Sequence, residues 1–72
     1  MMQDVTSTLI KSIGYDSTTE RLSVVIRNDP QSVYNYDGVS RQTANQFVEA
    51  NSKGRFFNSE IRGRFPTTKA AS

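Results

Sequence analysis

Leu22-Ser23-Val24-Val25-Ile26-Arg27, closed by Asn28-Asp29-Pro30, is the stretch that points to a β-sheet. Leu22, Val24 and Ile26 alternate with Ser23, Val25 and Arg27, a period of two that puts one set on a buried face. Pro30 lacks a ladder donor and Asn28 and Asp29 favour turns, so the strand ends there. Downstream, Ser32-Val33-Tyr34-Asn35-Tyr36 alternates again and is closed by Asp37-Gly38. Upstream, Leu9–Tyr15 mixes apolar and polar residues, stops at Gly14-Tyr15-Asp16-Ser17 and runs into the polar turn Thr18-Thr19-Glu20. Three strands joined by such short turns form an antiparallel meander.

The period then changes. Ser40 suits a helix N-cap, and Arg41–Asn51 spaces Ala44, Phe47, Val48 and Ala50 along one apolar stripe of about three turns, with Val39 just outside. Gly54 falls where a C-cap glycine belongs, with Lys53 beside the negative end of the helix dipole. Beyond it, Phe56, Phe57, Ile61 and Phe65 crowd around Asn58-Ser59-Glu60, which fits a short helical turn, and residues 67–72 read as a flexible tail. The expected architecture is α+β: a three-stranded antiparallel meander covered by one amphipathic helix, then a short aromatic-rich C-terminal segment. No internal repeat or linker divides the chain, so residues 1–72 read as a single domain.

The 72 residues suffice for one small core, burying ~60% of the surface that the unfolded chain exposes, with little left to wall off a deep cavity. Hydrophobic residues make up 35% and charged residues 22%, and recurrent aromatic and β-branched residues argue against disorder. There is no Cys, which excludes a disulfide framework and thiol chemistry and suits a reducing compartment. There is no His, which removes the commonest general base and the commonest metal ligand. No apolar run approaches a membrane span, and Met1–Thr8 has neither the basic nor the apolar segment of a secretory signal. The expectation is a small, soluble, cytoplasmic module that is not an enzyme, with no catalytic residues, metal, cofactor or membrane association.

Acid–base work needs a positioned group with a shifted pKa. Asp16, Glu20, Asp29 and Asp37 fall in turns, where such residues serve capping and turn formation. The hydroxyls lack a histidine or a GxSxG context to activate them. Ser52-Lys53-Gly54 lacks the preceding glycine of a phosphate loop and follows a helix, so it reads as helix termination.

Two features remain as binding candidates. Tyr34 and Tyr36 lie two apart on a strand and project from one face. Exposed, they form a stacking platform for single-stranded RNA, each stacked base contributing ~1–3 kcal/mol. Under the helix they are core with hydroxyls at the rim, and a small domain's need for bulk favours at least one ring inside. The second feature is charge. Residues 1–40 carry three cations against five anions, and residues 41–72 six against two. Lys53, Arg55, Arg62 and Arg64 interleave with Phe56, Phe57, Ile61 and Phe65, so the rings can anchor the segment while the cations project toward phosphates. Four phosphate contacts give a salt slope of about −3 for a single strand. The bland alternative is a solvated face.

The strings Ile10-x-x-Ile13-Gly14-Tyr15-Asp16, Leu22-x-Val24, Tyr34-x-Tyr36-x-x-Val39 and Ala50-x-Ser52-Lys53-Gly54-Arg55-Phe56-Phe57-Asn58-x-x-Ile61-Arg62-x-x-Phe65 resemble the KTSC domain, over about residues 7–66. That family takes its name from its occurrence at the C-terminus of some lysyl-tRNA synthetases, and it also occurs as short stand-alone proteins of bacteria and phages. The resemblance implies RNA binding through that attachment, and it carries the family's Tyr-x-Tyr onto Tyr34 and Tyr36 and its Ser-Lys-Gly onto Ser52, Lys53 and Gly54. This chain departs at Ser40, where proline is usual, and at Phe56 and Phe65, where tyrosine is usual. Rings kept without their hydroxyls argue for packing or stacking and against proton chemistry.

These readings converge on a nucleic-acid-binding module for single-stranded or structured RNA, with Tyr34, Tyr36, Lys53, Arg55, Arg62 and Arg64 as its binding residues. The alternative is a protein-interaction module of a bacterial or phage accessory protein, using an open sheet edge or an aromatic patch. A third reading is capture of a small anionic nucleotide by Lys53, Arg55 and Arg62. A homodimer through an open edge would suit so small a core.

Overall fold

The computed structural model describes residues 2–5 and 7–71. Its frame is a five-stranded antiparallel sheet in chain order: β1 (Met2–Asp4), β2 (Ile10–Asp16), β3 (Arg21–Ile26), β4 (Ser32–Asp37) and β5 (Thr67–Ala71). The helices α1 (Arg41–Glu49) and α2 (Lys53–Phe56), the latter continuing as a π-helical turn (Phe57–Ile61), lie between β4 and β5 in sequence. The α+β class and the β2–β3–β4 meander are as the alternation predicts.

Strand registers explain which side is covered. Ile13 faces Val24, Leu22 faces Tyr36, and Val24 faces Tyr34, so these residues share the face beneath the helices. In β2 the register shifts between Ile10 and Ser12, and this bulge brings Ile10 onto the same face as Ile13, three residues on. The core joins Ile10, Ile13, Leu22, Val24 and Tyr36 of the sheet to Val39, Ala44, Phe47, Phe57 and Ile61. Phe47 stacks on Phe56 at 5.6 Å and on Phe57 at 6.1 Å, and Phe57 meets Tyr36 edge-on at 5.8 Å. One chain of four rings thus runs from α2 through α1 to the sheet.

Ser40 caps α1 as predicted, its Oγ accepting the Thr43 N–H at 3.2 Å. The helix stops at Glu49, earlier than expected, because Ala50 turns to an extended conformation. Gly54 is therefore not a C-cap. It sits inside α2, where a Cβ would come within 3.2 Å of the Leu9 Cβ, so glycine is used there for close approach. Ser52 opens α2, its Oγ accepting the Arg55 N–H at 3.3 Å. The Ser52-Lys53-Gly54 triplet begins a helix where helix termination was expected. Lys53 still serves α1, its Nζ donating to the Ala50 carbonyl at 3.2 Å. Cover for the sheet is accordingly two helical segments where one was expected.

The larger correction concerns residues 67–72, expected to be a flexible tail. Thr67–Ala71 form β5, paired with β4 from Tyr36↔Thr67 to Ser32↔Ala71, and Ser72 lies outside the described residues. The Asp37 N–H donates to the Pro66 carbonyl at 3.0 Å. Antiparallel alternation from that bond turns the peptide groups of Thr68 and Ala70 toward β4 and those of Thr67, Lys69 and Ala71 outward. All five side chains are exposed, so backbone pairing makes this strand and no apolar pattern announces it. β1 is likewise added outside the expected meander, against β2.

Candidate functional site

Two clefts flank the α2–π segment. The first, of about 240 Å³, is walled by Tyr34 and Tyr36 of β4, Ile26 of β3, Thr67 of β5, and Phe57, Arg62 and Gly63 of the π turn and its exit. The tyrosines converge because they are two apart, and Thr67 and Lys69 join them as their cross-strand partners. The π turn is closed by the Arg62 N–H donating to the Phe57 carbonyl at 2.8 Å. It buries Phe57 and Ile61 and carries Arg62 out beside the cleft. Gly63, at φ 77°, takes the left-handed turn that leads the chain toward β5.

Tyr36 is only 3% exposed and therefore serves as wall, its ring edge against Phe57. Burial pushes its phenol pKa up, opposed by the nearby Arg62 guanidinium. Tyr34 is half-buried, and its hydroxyl donates to Asp29 Oδ2 at 3.2 Å. Lys69 Nζ lies 5.8 Å from the Tyr34 ring centre and 3.7 Å from the same carboxylate. The Arg62 guanidinium sits 5.3 Å over the Phe57 ring, and its Nη1 donates to Asn58 Oδ1 at 3.3 Å.

The second cleft, of about 490 Å³, lies between the Ser7–Leu9 segment and the start of α2. Lys53 and Arg55 line it with Ser52 and Asn58. Arg55 also borders a shallower depression that the half-buried Phe56 and Glu60 help to line.

The six residues singled out from sequence thus separate. Tyr34, Tyr36 and Arg62 meet in the first cleft, and Lys53 and Arg55 meet in the second. Arg64 is exposed and lines neither. The ion pairs among the described residues are Arg21–Asp37 and Lys69–Asp29, so none of Lys53, Arg55, Arg62 or Arg64 is neutralised by an acid. Thr67, Lys69 and Gly63 escaped sequence reasoning, as did Ser7 and Thr8, because their places follow from β5 and from long-range packing. No group of three metal-ligating side chains occurs among the described residues, and no helix there is long and apolar enough to cross a membrane.

An antiparallel sheet with a helical cover and an aromatic cleft carrying Arg62 at its β4–β5 side defines a small α+β domain. The family model of the KTSC domain matches residues 6–65, and the chain belongs to that family. The crystal structure of a KTSC domain protein from Yersinia pestis superposes with a TM-score of 0.91 at 40% identity, covering 97% of this chain and 96% of that one. Among curated proteins none matches.

Proposed function

We propose that this chain is a non-enzymatic RNA-binding module of the cytoplasm, reading single-stranded segments. The observation that carries the reading is the meeting of the Tyr34 ring with the unneutralised Arg62 guanidinium at one cleft. A base enters against Tyr34, and the Arg62 fork, held in place by Asn58 and the Phe57 ring, takes the flanking phosphate. Tyr36 supplies wall and depth, and its face takes no base. The lining of the first cleft offers no carboxylate and the chain no histidine, so its chemistry suits holding a ligand and not transferring its protons.

Fluorescence anisotropy with labelled single-stranded RNA at low salt tests this. Binding should weaken with salt by about 0.7 log units per neutralised phosphate for each tenfold rise in salt, and Arg62→Ala should weaken it further. Absence of binding, or binding indifferent to salt and to Arg62→Ala, overturns it.

A second reading, a protein-interaction module, is favoured by the free edge of β5. The outward peptide groups of Thr67, Lys69 and Ala71 can accept an added strand.

A further inference from the structure

Three polar side chains of the second cleft, Ser7, Ser52 and Asn58, share a property that their positions alone do not announce: the fold has already engaged an acceptor in each. Ser7 Oγ accepts two backbone N–H groups, from Leu9 at 3.3 Å and Ile10 at 3.2 Å, so its own O–H is left to donate. Ser52 Oγ accepts from Arg55 N–H at 3.3 Å, and Asn58 Oδ1 accepts from Arg62 Nη1 at 3.3 Å, leaving a hydroxyl and an amide NH₂ as donors. Lys53 spends one of its three N–H groups on the Ala50 carbonyl and keeps two. Arg55 has no acidic partner among the described residues, and no acid lines the cleft.

From this excess of donors around two cations we infer that the second cleft is a phosphate site, taking an inorganic phosphate, phosphomonoester or phosphodiester group. The ionised oxygens of a phosphate group are acceptors, so such a group can take hydrogen bonds from these donors and is attracted by both cations. A cationic or donor-rich ligand would meet repulsion from Lys53 and Arg55. Gly54 sets the width, since it lets the Leu9 wall close to a distance that a Cβ would contest. The site is separate from the first cleft and stands whether or not a base enters there.

Amide chemical shifts of the full chain, titrated with inorganic phosphate against chloride at matched ionic strength, test the inference. Saturable shifts at Ser7, Ser52–Arg55 and Asn58, with Tyr34 and Thr67 unmoved, are expected. The charge-neutral double variant Lys53→Gln/Arg55→Gln, which keeps an unbranched polar side chain at both positions, should weaken phosphate binding at least tenfold with the spectrum still that of a folded domain. Adenosine, which lacks phosphate, should leave the second cleft silent. Competition of phosphate by a short RNA would assign the site to a phosphodiester backbone, and its failure to compete would assign it to free phosphate or a monoester. Shifts no larger than those in chloride, shifts confined to the first cleft, or an affinity unchanged in the double variant overturn it. A failed RNA titration in which the phosphate shifts persist would remove the RNA reading and leave this one.

Discussion

Arg62 Nη1 donates to Asn58 Oδ1 at 3.3 Å, and so links a residue of the first cleft to a residue of the second. The two residues are one helical turn apart. A single strand held at Arg62 can therefore reach Lys53 and Arg55 without leaving the surface of the α2–π segment. Arg62→Ala should lower RNA affinity about tenfold and reduce the salt slope by about 0.7, the signature of one lost phosphate contact. Its effect on stability should stay within about 1 kcal/mol, the scale of an exposed cation–π contact. Anisotropy over a salt series and a denaturation curve read the two separately.

Phe47 is fully buried between two other rings. Phe47→Ala should cost about 3–5 kcal/mol, transfer and cavity together, which is most of the stability of so small a domain. Urea denaturation of Phe47→Ala beside Phe47→Leu should show loss of the folded baseline in the first and a lowered midpoint in the second.

Two glycines should respond differently to alanine. Gly63 has open space around it but holds φ 77°, so Gly63→Ala should cost about 1–2 kcal/mol through backbone strain. Gly54 is helical and meets Leu9 at 3.2 Å, so the gain in helix propensity and the contact offset one another and the net change stays within about 1 kcal/mol. A larger loss for Gly54→Ala than for Gly63→Ala would show that the Leu9 wall does not yield.

Alkali should unfold the domain through its phenols. Burial raises the pKa of both Tyr15 and Tyr36 above the ordinary tyrosine value. A group whose folded pKa is raised stabilises fully below its unfolded value of about 10, and that stability is lost as pH climbs through the raised folded value. Absorbance at the tyrosinate band should therefore rise together with loss of structure, and Tyr36→Phe should move that transition to higher pH. Because Arg62 pulls the Tyr36 value down, Arg62→Ala should make Tyr36 ionise later still, which a ring-carbon NMR titration resolves.

The ladder of β5 predicts an alternating pattern of hydrogen exchange. Amides of Thr68 and Ala70 should be protected and those of Lys69 and Ala71 should exchange at nearly the open-chain rate. Uniform fast exchange from Thr67 to Ala71 would mean that the strand is not paired in solution.

How much of this was legible beforehand depended on whether a residue's side chain carries the information. Leu22, Val24 and Ile26 wrote their strand in alternation, and Ala44 and Phe47 wrote their helix in its spacing, because burial on one face demands those periods. Thr67–Ala71 bury nothing, so β5 exists through peptide groups that every residue possesses, and composition is silent about it. Gly54 misled for a related reason: glycine marks helix ends and tight contacts alike, and only the approach of Leu9, forty-five positions away, tells them apart. Tyr34, Tyr36 and Arg62 were nameable as site residues, but the separation of Lys53 and Arg55 into their own cleft rests on where Ser7 and Thr8 return to meet α2.

Strand order carries a practical consequence for measurement. β1 and β5 occupy opposite margins of the sheet, four inter-strand steps apart, or about 19 Å at the usual spacing. A dye attached along β1 would report tumbling from the margin farthest from the aromatic cleft, whereas a quencher on β5 would stand beside that cleft and sense its occupancy directly.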